Sequence, residues 1–299
     1  MELREGTTTV NDVELAHLEV GDGPLAICLH GFPDSAWTWR HLLPALADAG
    51  YRAVAPFLRG YAPSAVPADG RYQTAALGLD ACGLHEALGG DDDAVLIGHD
   101  WGAMAAYVAA SHEPQRWRRV VTMAVPPAAA VAQGLTSYDQ LRRSWYMFFF
   151  QHPLADVVVG LDDLAFIDRL WADWSPGYDA GEDLPRVKDA LRDPANLAAA
   201  LGYYRATLSG VGVDPALDEA QQAGNELPPQ PTLYLHGRDD GCMGVEVAEA
   251  ARPLLEARPG SRMEVVDGTG HFLHLEAPEV VGRLVLGFLA ESPAGSSAG

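Results

Sequence analysis

The sequence predicts an α/β domain built on a mostly parallel sheet and interrupted by a helical insertion. Three observations carry that prediction. Apolar runs of strand length alternate with helical segments along most of the chain. The alternation stops after Pro126-Pro127 for roughly a hundred residues and then resumes at Pro231. A length of 299 residues, 48% of them hydrophobic and 20% charged, is enough for one large core with an insertion.

The elements follow in order. TTTVNDVELAHLEV predicts an N-terminal hairpin turning at Asn11-Asp12. LAICLH (25–30), YRAVAPF (51–57), DAVLIGH (93–99), RRVVTMAV (118–125), PTLYLHG (231–237) and RMEVVDG (262–268) read as buried strands. Continuous apolar strands separated by helices belong to a sheet covered on both faces. The intervening residues 128–223, rich in helix formers and aromatics, read as a helical cap bounded by the turn-rich segments PPAAAVAQG and AGNELPPQP. The core is then 1–127 together with 224–299. The tail SPAGSSAG (292–299) is small and polar and is predicted to be disordered.

Composition narrows the function. Twenty Lys+Arg against 41 Asp+Glu give a formal net charge of -21, which repels phosphate backbones and anionic lipid, so neither a nucleic-acid nor a membrane partner is expected. Cys28, Cys82 and Cys242 are odd in number and scattered, without metal-ligand spacing, so no disulfide framework and no zinc site are expected. MELREGTTTV lacks an apolar signal core and no run of 18 apolar residues occurs, so a cytoplasmic location is the expectation.

DAVLIGHDWGAMAAYVAASHE carries the chemistry. It reads as a strand, a tight turn at Gly98-His99-Asp100-Trp101-Gly102 and an Ala-rich helix, with Asp100 at the apex where a nucleophile projects from the strand end. Asp after a strand commonly just caps the next helix. The flanking glycines favour catalysis, because such a turn leaves no room for side chains at those positions. A carboxylate nucleophile forms an alkyl ester that water must then cleave, which calls for a base. His271, after a predicted strand in GTGHFLHLEAP, is the candidate, and His274 is expected to pack. Asp239 and Asp240 in GRDDG follow another strand, and Asp240 is chosen to orient the base. The Phe32 and Trp101 amides are the expected oxyanion donors.

HGFPDSAWTWR, LRGYAPS, GHDWG, GRDD and GHFLHLEAP together resemble the epoxide hydrolase branch of the α/β-hydrolase superfamily. The resemblance implies an α/β-hydrolase fold, with a mostly parallel eight-stranded sheet flanked by helices and an inserted cap. It also implies hydrolysis of an epoxide to a vicinal diol without metal or cofactor. Two cap tyrosines would protonate the oxirane oxygen, and WYMFFFQHP and GYYRAT resemble their segments, giving Tyr146 and Tyr204; Tyr203 is expected to be structural. Trp101, Phe32, Trp145 and Phe149 are the expected substrate contacts, for a small apolar epoxide, with a homodimer as a candidate assembly. The chain departs from the family pattern at Phe57 and Ala62, neither of which is given a chemical role.

Two other readings compete. Haloalkane or haloacid dehalogenases share an Asp nucleophile, but Phe32 stands where haloalkane dehalogenases often carry a halide-binding asparagine. Fluoroacetate dehalogenases usually place arginine where this chain has Trp101. A non-catalytic ligand-binding protein on the same fold would be expected to have lost part of the triad.

Overall fold

The computed structural model describes residues 2–291, and the tail 292–299 lies outside them. Eight strands form one sheet: β1 (Arg4–Val10), β2 (Val13–Val20), β3 (Leu25–Leu29), β4 (Arg52–Pro56), β5 (Val95–His99), β6 (Arg119–Met123), β7 (Thr232–Gly237) and β8 (Arg262–Val266). Their spatial order is β1-β2-β4-β3-β5-β6-β7-β8. The β1–β2 and β2–β4 pairs are antiparallel and all later pairs are parallel. This is the mostly parallel eight-stranded sheet that the motifs implied.

Local chemistry explains the elements. Asn11 and Asp12 both have positive φ, 48° and 60°, the geometry a two-residue hairpin turn needs to match strand twist. Each predicted central run contains its observed strand, and the strands are shorter only where the chain begins to turn. β3, β5, β6 and β7 are buried along their whole length, as strands covered on both faces must be. Covering a side chain such as Leu96 or Ile97 contributes about 1.5–3 kcal/mol. Helices Thr74–Ala87 and Trp101–His112 pack together beside β5, while Leu42–Asp48 and Pro278–Ala290 pack against each other.

Between β6 and β7 the chain is helical, from Ala128–Gly134 to Asp218–Ala223. These two end helices lie on core elements, the first against Val245–Glu249 and the second against Trp101–His112. The stretch between them carries the cap aromatics. Beneath it, the Ala62 N–H donates to the Ala190 carbonyl, tying the loop after β4 to helix Asp183–Leu191. Phe57 is buried, with its N–H on the Ala16 carbonyl. Among the described residues no helix is long and apolar enough to cross a membrane.

Candidate active site

Ligands of parallel α/β sheets gather at the carboxyl ends of the strands, and four loops from those ends meet here. They follow β3, β5, β7 and β8 and carry Phe32, Asp100, Asp240 and His271.

Asp100 occupies the apex between β5 and helix Trp101–His112 with φ 53° and ψ -118°, a strained conformation for a residue with a side chain. The turn is this tight because Gly98 and Gly102 are bare. A Cβ on Gly98 would lie 2.1 Å from the Gly102 carbonyl oxygen, and one on Gly102 would lie 2.0 Å from that of Leu29. The Asp100 carboxylate does not cap the helix. Its Oδ1 accepts the Phe32 N–H at 2.8 Å, and its Oδ2 lies 3.7 Å from His271 Nε2. Burial pushes the Asp100 carboxyl above its ordinary range, opposed by the charge of His271 and by the amides of Phe32 and Trp101.

His271 is fully buried and its Nδ1–H donates to Asp240 Oδ2 at 3.0 Å. Burial alone would lower the imidazole, but the carboxylates of Asp240 and Asp100 hold it above its usual value. Burial would likewise raise Asp240, yet the His271 charge and hydrogen bond bring it below the ordinary carboxylate range. Asp240 Oδ1 accepts the amides of Cys242 and Met243 at 2.7 and 2.9 Å, so both oxygens are held. Asp239, the other aspartate of GRDDG, is exposed, and its N–H goes to the Thr269 carbonyl.

Tyr146 and Tyr204 come from different cap helices, and their rings meet edge to face with centroids 5.7 Å apart. Tyr204 also packs on Phe32 and on Trp101, at 5.3 and 4.9 Å. Burial first, and the Asp100 charge in addition, raise both phenols well above their usual pKa, so both are protonated donors at neutral pH. The Tyr204 hydroxyl, Trp101 Nε1 and His271 Nε2 are buried without a hydrogen-bond partner. Tyr203 turns away, and its hydroxyl donates to the Arg59 carbonyl. His274 packs in the core, with Nε2 2.5 Å from Thr38 Oγ1 and its ring stacked on Trp39.

Two of the expected substrate contacts, Trp145 and Phe149, have their ring contacts with residues other than Phe32, Trp101 and Tyr204. Trp145 is 48% exposed, and Trp145 and Phe149 pack with each other and with Phe166. Phe150 instead packs on Phe32 and Tyr204, at 5.5 and 5.1 Å. Helix periodicity is the reason: Phe150 lies four residues after Tyr146 and shares its face, while Phe149 shares the face of Trp145.

Several neighbours carry no local sequence signal. Cys242 Sγ lies 3.3 Å from the Tyr146 hydroxyl. The Trp174 ring packs on Tyr146 and His271, and its carbonyl accepts the amides of both Gly241 and His271, joining the loops that carry Asp240 and His271. Ser175 Oγ accepts the Phe272 N–H and donates to Glu276, whose other oxygen accepts the Gly270 N–H. The end of helix Leu161–Trp174 thereby ties down the loop carrying His271.

Comparison with known proteins adds three findings. The pattern describing the alpha/beta hydrolase fold matches residues 24–278. An epoxide hydrolase of Caballeronia sordidicola is 31% identical, over 96% of this chain and 94% of the relative, and Epoxide hydrolase B of Mycobacterium tuberculosis is 30% identical, over 89% and 91%. The crystal structure of an epoxide hydrolase from Vigna radiata superposes with a TM-score of 0.80 at 25% identity, over 96% of this chain and 98% of that one.

Proposed function

The chain belongs to the epoxide hydrolases of the α/β-hydrolase superfamily, and from that premise we propose that it converts an epoxide and water to a vicinal diol through an ester on Asp100. The observation that carries this reading is the Asp100 carboxylate itself: Oδ1 is held by the Phe32 amide while Oδ2 lies 3.7 Å from His271 Nε2, and its charge reaches the buried phenols of Tyr146 and Tyr204.

Asp100 Oδ2 attacks an oxirane carbon, the carbon–oxygen bond breaks, and the leaving oxygen takes a proton from Tyr146 or Tyr204. Oδ1 becomes the ester carbonyl oxygen and stays on the Phe32 and Trp101 amides. His271 Nε2 then takes a proton from water as the water oxygen attacks the Asp100 carboxyl carbon. The two amides stabilise the resulting oxyanion, and Asp240 stabilises the imidazolium. Collapse of the tetrahedral species releases the diol, and the proton on His271 makes good the one the tyrosine lost. Each turnover consumes one epoxide and one water.

The substrate in this reading is a small apolar epoxide, lying among Phe32, Phe150, Trp101 and the two tyrosines. Residues 128–223 act as the lid between core segments 1–127 and 224–299. Asp100 is only 6% exposed, so the lid must shift to admit substrate.

The test is product analysis on aryl and alkyl epoxides beside matched haloalkanes, with Asp100→Asn as control. Diol from epoxides, absent in the control, is the expected result. Halide release without diol would refute the reading and turn attention to the unpartnered Trp101 Nε1–H as a halide donor. His271→Gln should also accumulate the ester, raising the intact protein mass by that of the epoxide, and adduct-free protein would remove His271 from the base role.

A further inference from the structure

In the loop from Asp240 to Gly244 all five amides are hydrogen-bonded. Cys242 and Met243 donate to Asp240 Oδ1, and Asp240 donates to the Gly237 carbonyl at 3.3 Å. Gly241 donates to the Trp174 carbonyl at 3.0 Å, and Gly244 donates to the side-chain oxygen of Gln140 at 2.9 Å. Three carbonyls are taken as well: that of Asp240 by Arg143 Nη1 at 2.7 Å, that of Cys242 by Gln140 Nε2 at 2.9 Å, and that of Met243 by His236 Nε2 at 3.0 Å. Gln140, Arg143 and Trp174 all belong to the helical stretch between β6 and β7, so the loop is gripped from that side as well as from the sheet. It can lie so close only because Gly241 is bare, since a Cβ there would run into the Asp173 carbonyl.

Gln140 is the centre of that grip. It lies buried on helix Tyr138–Arg143 and reaches Cys242 from 102 positions earlier in the chain. The Cys242 carbonyl can only accept and the Gly244 N–H can only donate, which fixes the orientation of the side-chain amide between them. The remaining amide hydrogen goes to Ser144 Oγ at 2.9 Å. An apolar side chain of the same length would leave a buried carbonyl and a buried N–H unpaired. What the grip fixes is the direction of the Asp240 carboxylate. The Cys242 and Met243 amides that hold Oδ1 lie within the stretch that Gln140 holds at both ends, and Oδ2 is then left to accept His271 Nδ1–H at 3.0 Å. Asp239, one residue before that stretch, is exposed.

We infer that Gln140 is a positioning residue for the proposed triad: its amide holds the Cys242–Gly244 main chain so that Asp240 presents Oδ2 to His271. The inference rests on the proposed reaction, in which Asp240 orients His271 and stabilises its positive charge. Gln140 touches no reacting atom and acts through the loop. Misplacing a group in a catalytic constellation by about 1 Å costs on the order of 10²-fold in rate. The stretch between β6 and β7 therefore carries the proton donor Tyr146 and, from the neighbouring helix, sets Asp240 as well.

The experiment is the titration of His271 followed by NMR on the full chain, without substrate, in the wild type, Gln140→Met and Asp240→Asn. Met keeps the length of the side chain and removes its hydrogen bonds. The titratable groups around His271 are Asp240, Asp100, Asp34 and Glu276 and the buried imidazoles of His99, His236 and His274. Only Asp240 sits in the loop that Gln140 holds, and its carboxylate is one of the charges holding the His271 titration up. Gln140→Met should therefore lower that titration toward its position in Asp240→Asn. In rapid mixing with epoxide, ester decay should slow by about 10²-fold in Gln140→Met. Adding Gln140→Met to Asp240→Asn should slow it little further, because both act through one carboxylate. Folding is checked by circular dichroism, and Gln140→Asn, one methylene too short to reach the loop, serves if Gln140→Met does not fold. A His271 titration unmoved in Gln140→Met would overturn the inference, and its lowering in Asp240→Asn would show that the reading of the triad itself stands. A slowing of ester decay as large in the Asp240→Asn background as in the wild type would overturn the inference too, since Gln140 would then act by another route. The titration needs no turnover, so it decides the inference even if the chain forms no diol.

Discussion

Asp240→Asn isolates the hydrolytic half of the proposed reaction. The substitution keeps size and leaves an amide oxygen able to accept the Cys242 and Met243 N–H groups, so the loop after β7 should hold its shape. It then turns an NH2 toward His271 Nδ1. The imidazole answers by moving its hydrogen to Nε2, the atom that must accept a proton from water. The charge is lost too. Across the 3.0 Å contact, a carboxylate and an imidazolium interact by about 5 kcal/mol at an effective dielectric constant of ~20. That interaction is fully developed only when His271 becomes charged, as water attacks. Its loss corresponds to a fall of about 10³ to 10⁴ in the hydrolysis rate, at 1.36 kcal/mol per factor of ten. Ring opening uses Asp100 and the tyrosines and should fall much less. The assay is rapid mixing with one equivalent of epoxide, acid quench and intact-protein mass, following ester formation and decay separately. A hydrolysis rate within tenfold of wild type, with no accumulated ester, would refute the assigned role of Asp240.

Other perturbations test the remaining parts. Tyr146→Phe and Tyr204→Phe should each slow ring opening by about 10- to 100-fold, and the double variant should abolish it, as expected for loss of general acid catalysis; normal epoxide turnover in the double variant would defeat the assignment. The neutral ring of His271 is the base, so hydrolysis should rise with pH through its titration. Asp100 is one of the charges holding that titration up, so His271 in Asp100→Asn should titrate at lower pH by NMR, as should the enzyme in its ester form. An unchanged titration would contradict the coupling. Gly102→Ala would set a methyl group 2.0 Å from the backbone oxygen of Leu29 and should cost more than about 3 kcal/mol, read by urea unfolding. A smaller loss would show that the turn can open.

Some features are settled among neighbouring residues and are legible along the chain. The hairpin at Asn11-Asp12, the buried strands and the Gly98–Gly102 turn each depend on a few dihedral angles and on side chains within a handful of positions. The apex role of Asp100 was legible because two missing Cβ atoms permit that backbone and few other arrangements need both glycines. Chain order and strand ends then pointed to His271 and to the GRDDG loop. Tertiary structure decided which residues of distant segments touch. It turned Asp240 to His271 and left Asp239 in solvent, although the two are adjacent and chemically alike. It placed Phe150, not Phe149, against Phe32, because the facing of a five-residue helix is set by what packs beneath it. It brought Cys242 to Tyr146 across 96 positions, and Asp34 and His274 to His99 from opposite ends of the chain. Such contacts follow from how the sheet, the loops and the cap fill space together, and that packing is a property of the whole core that no short stretch of sequence encodes.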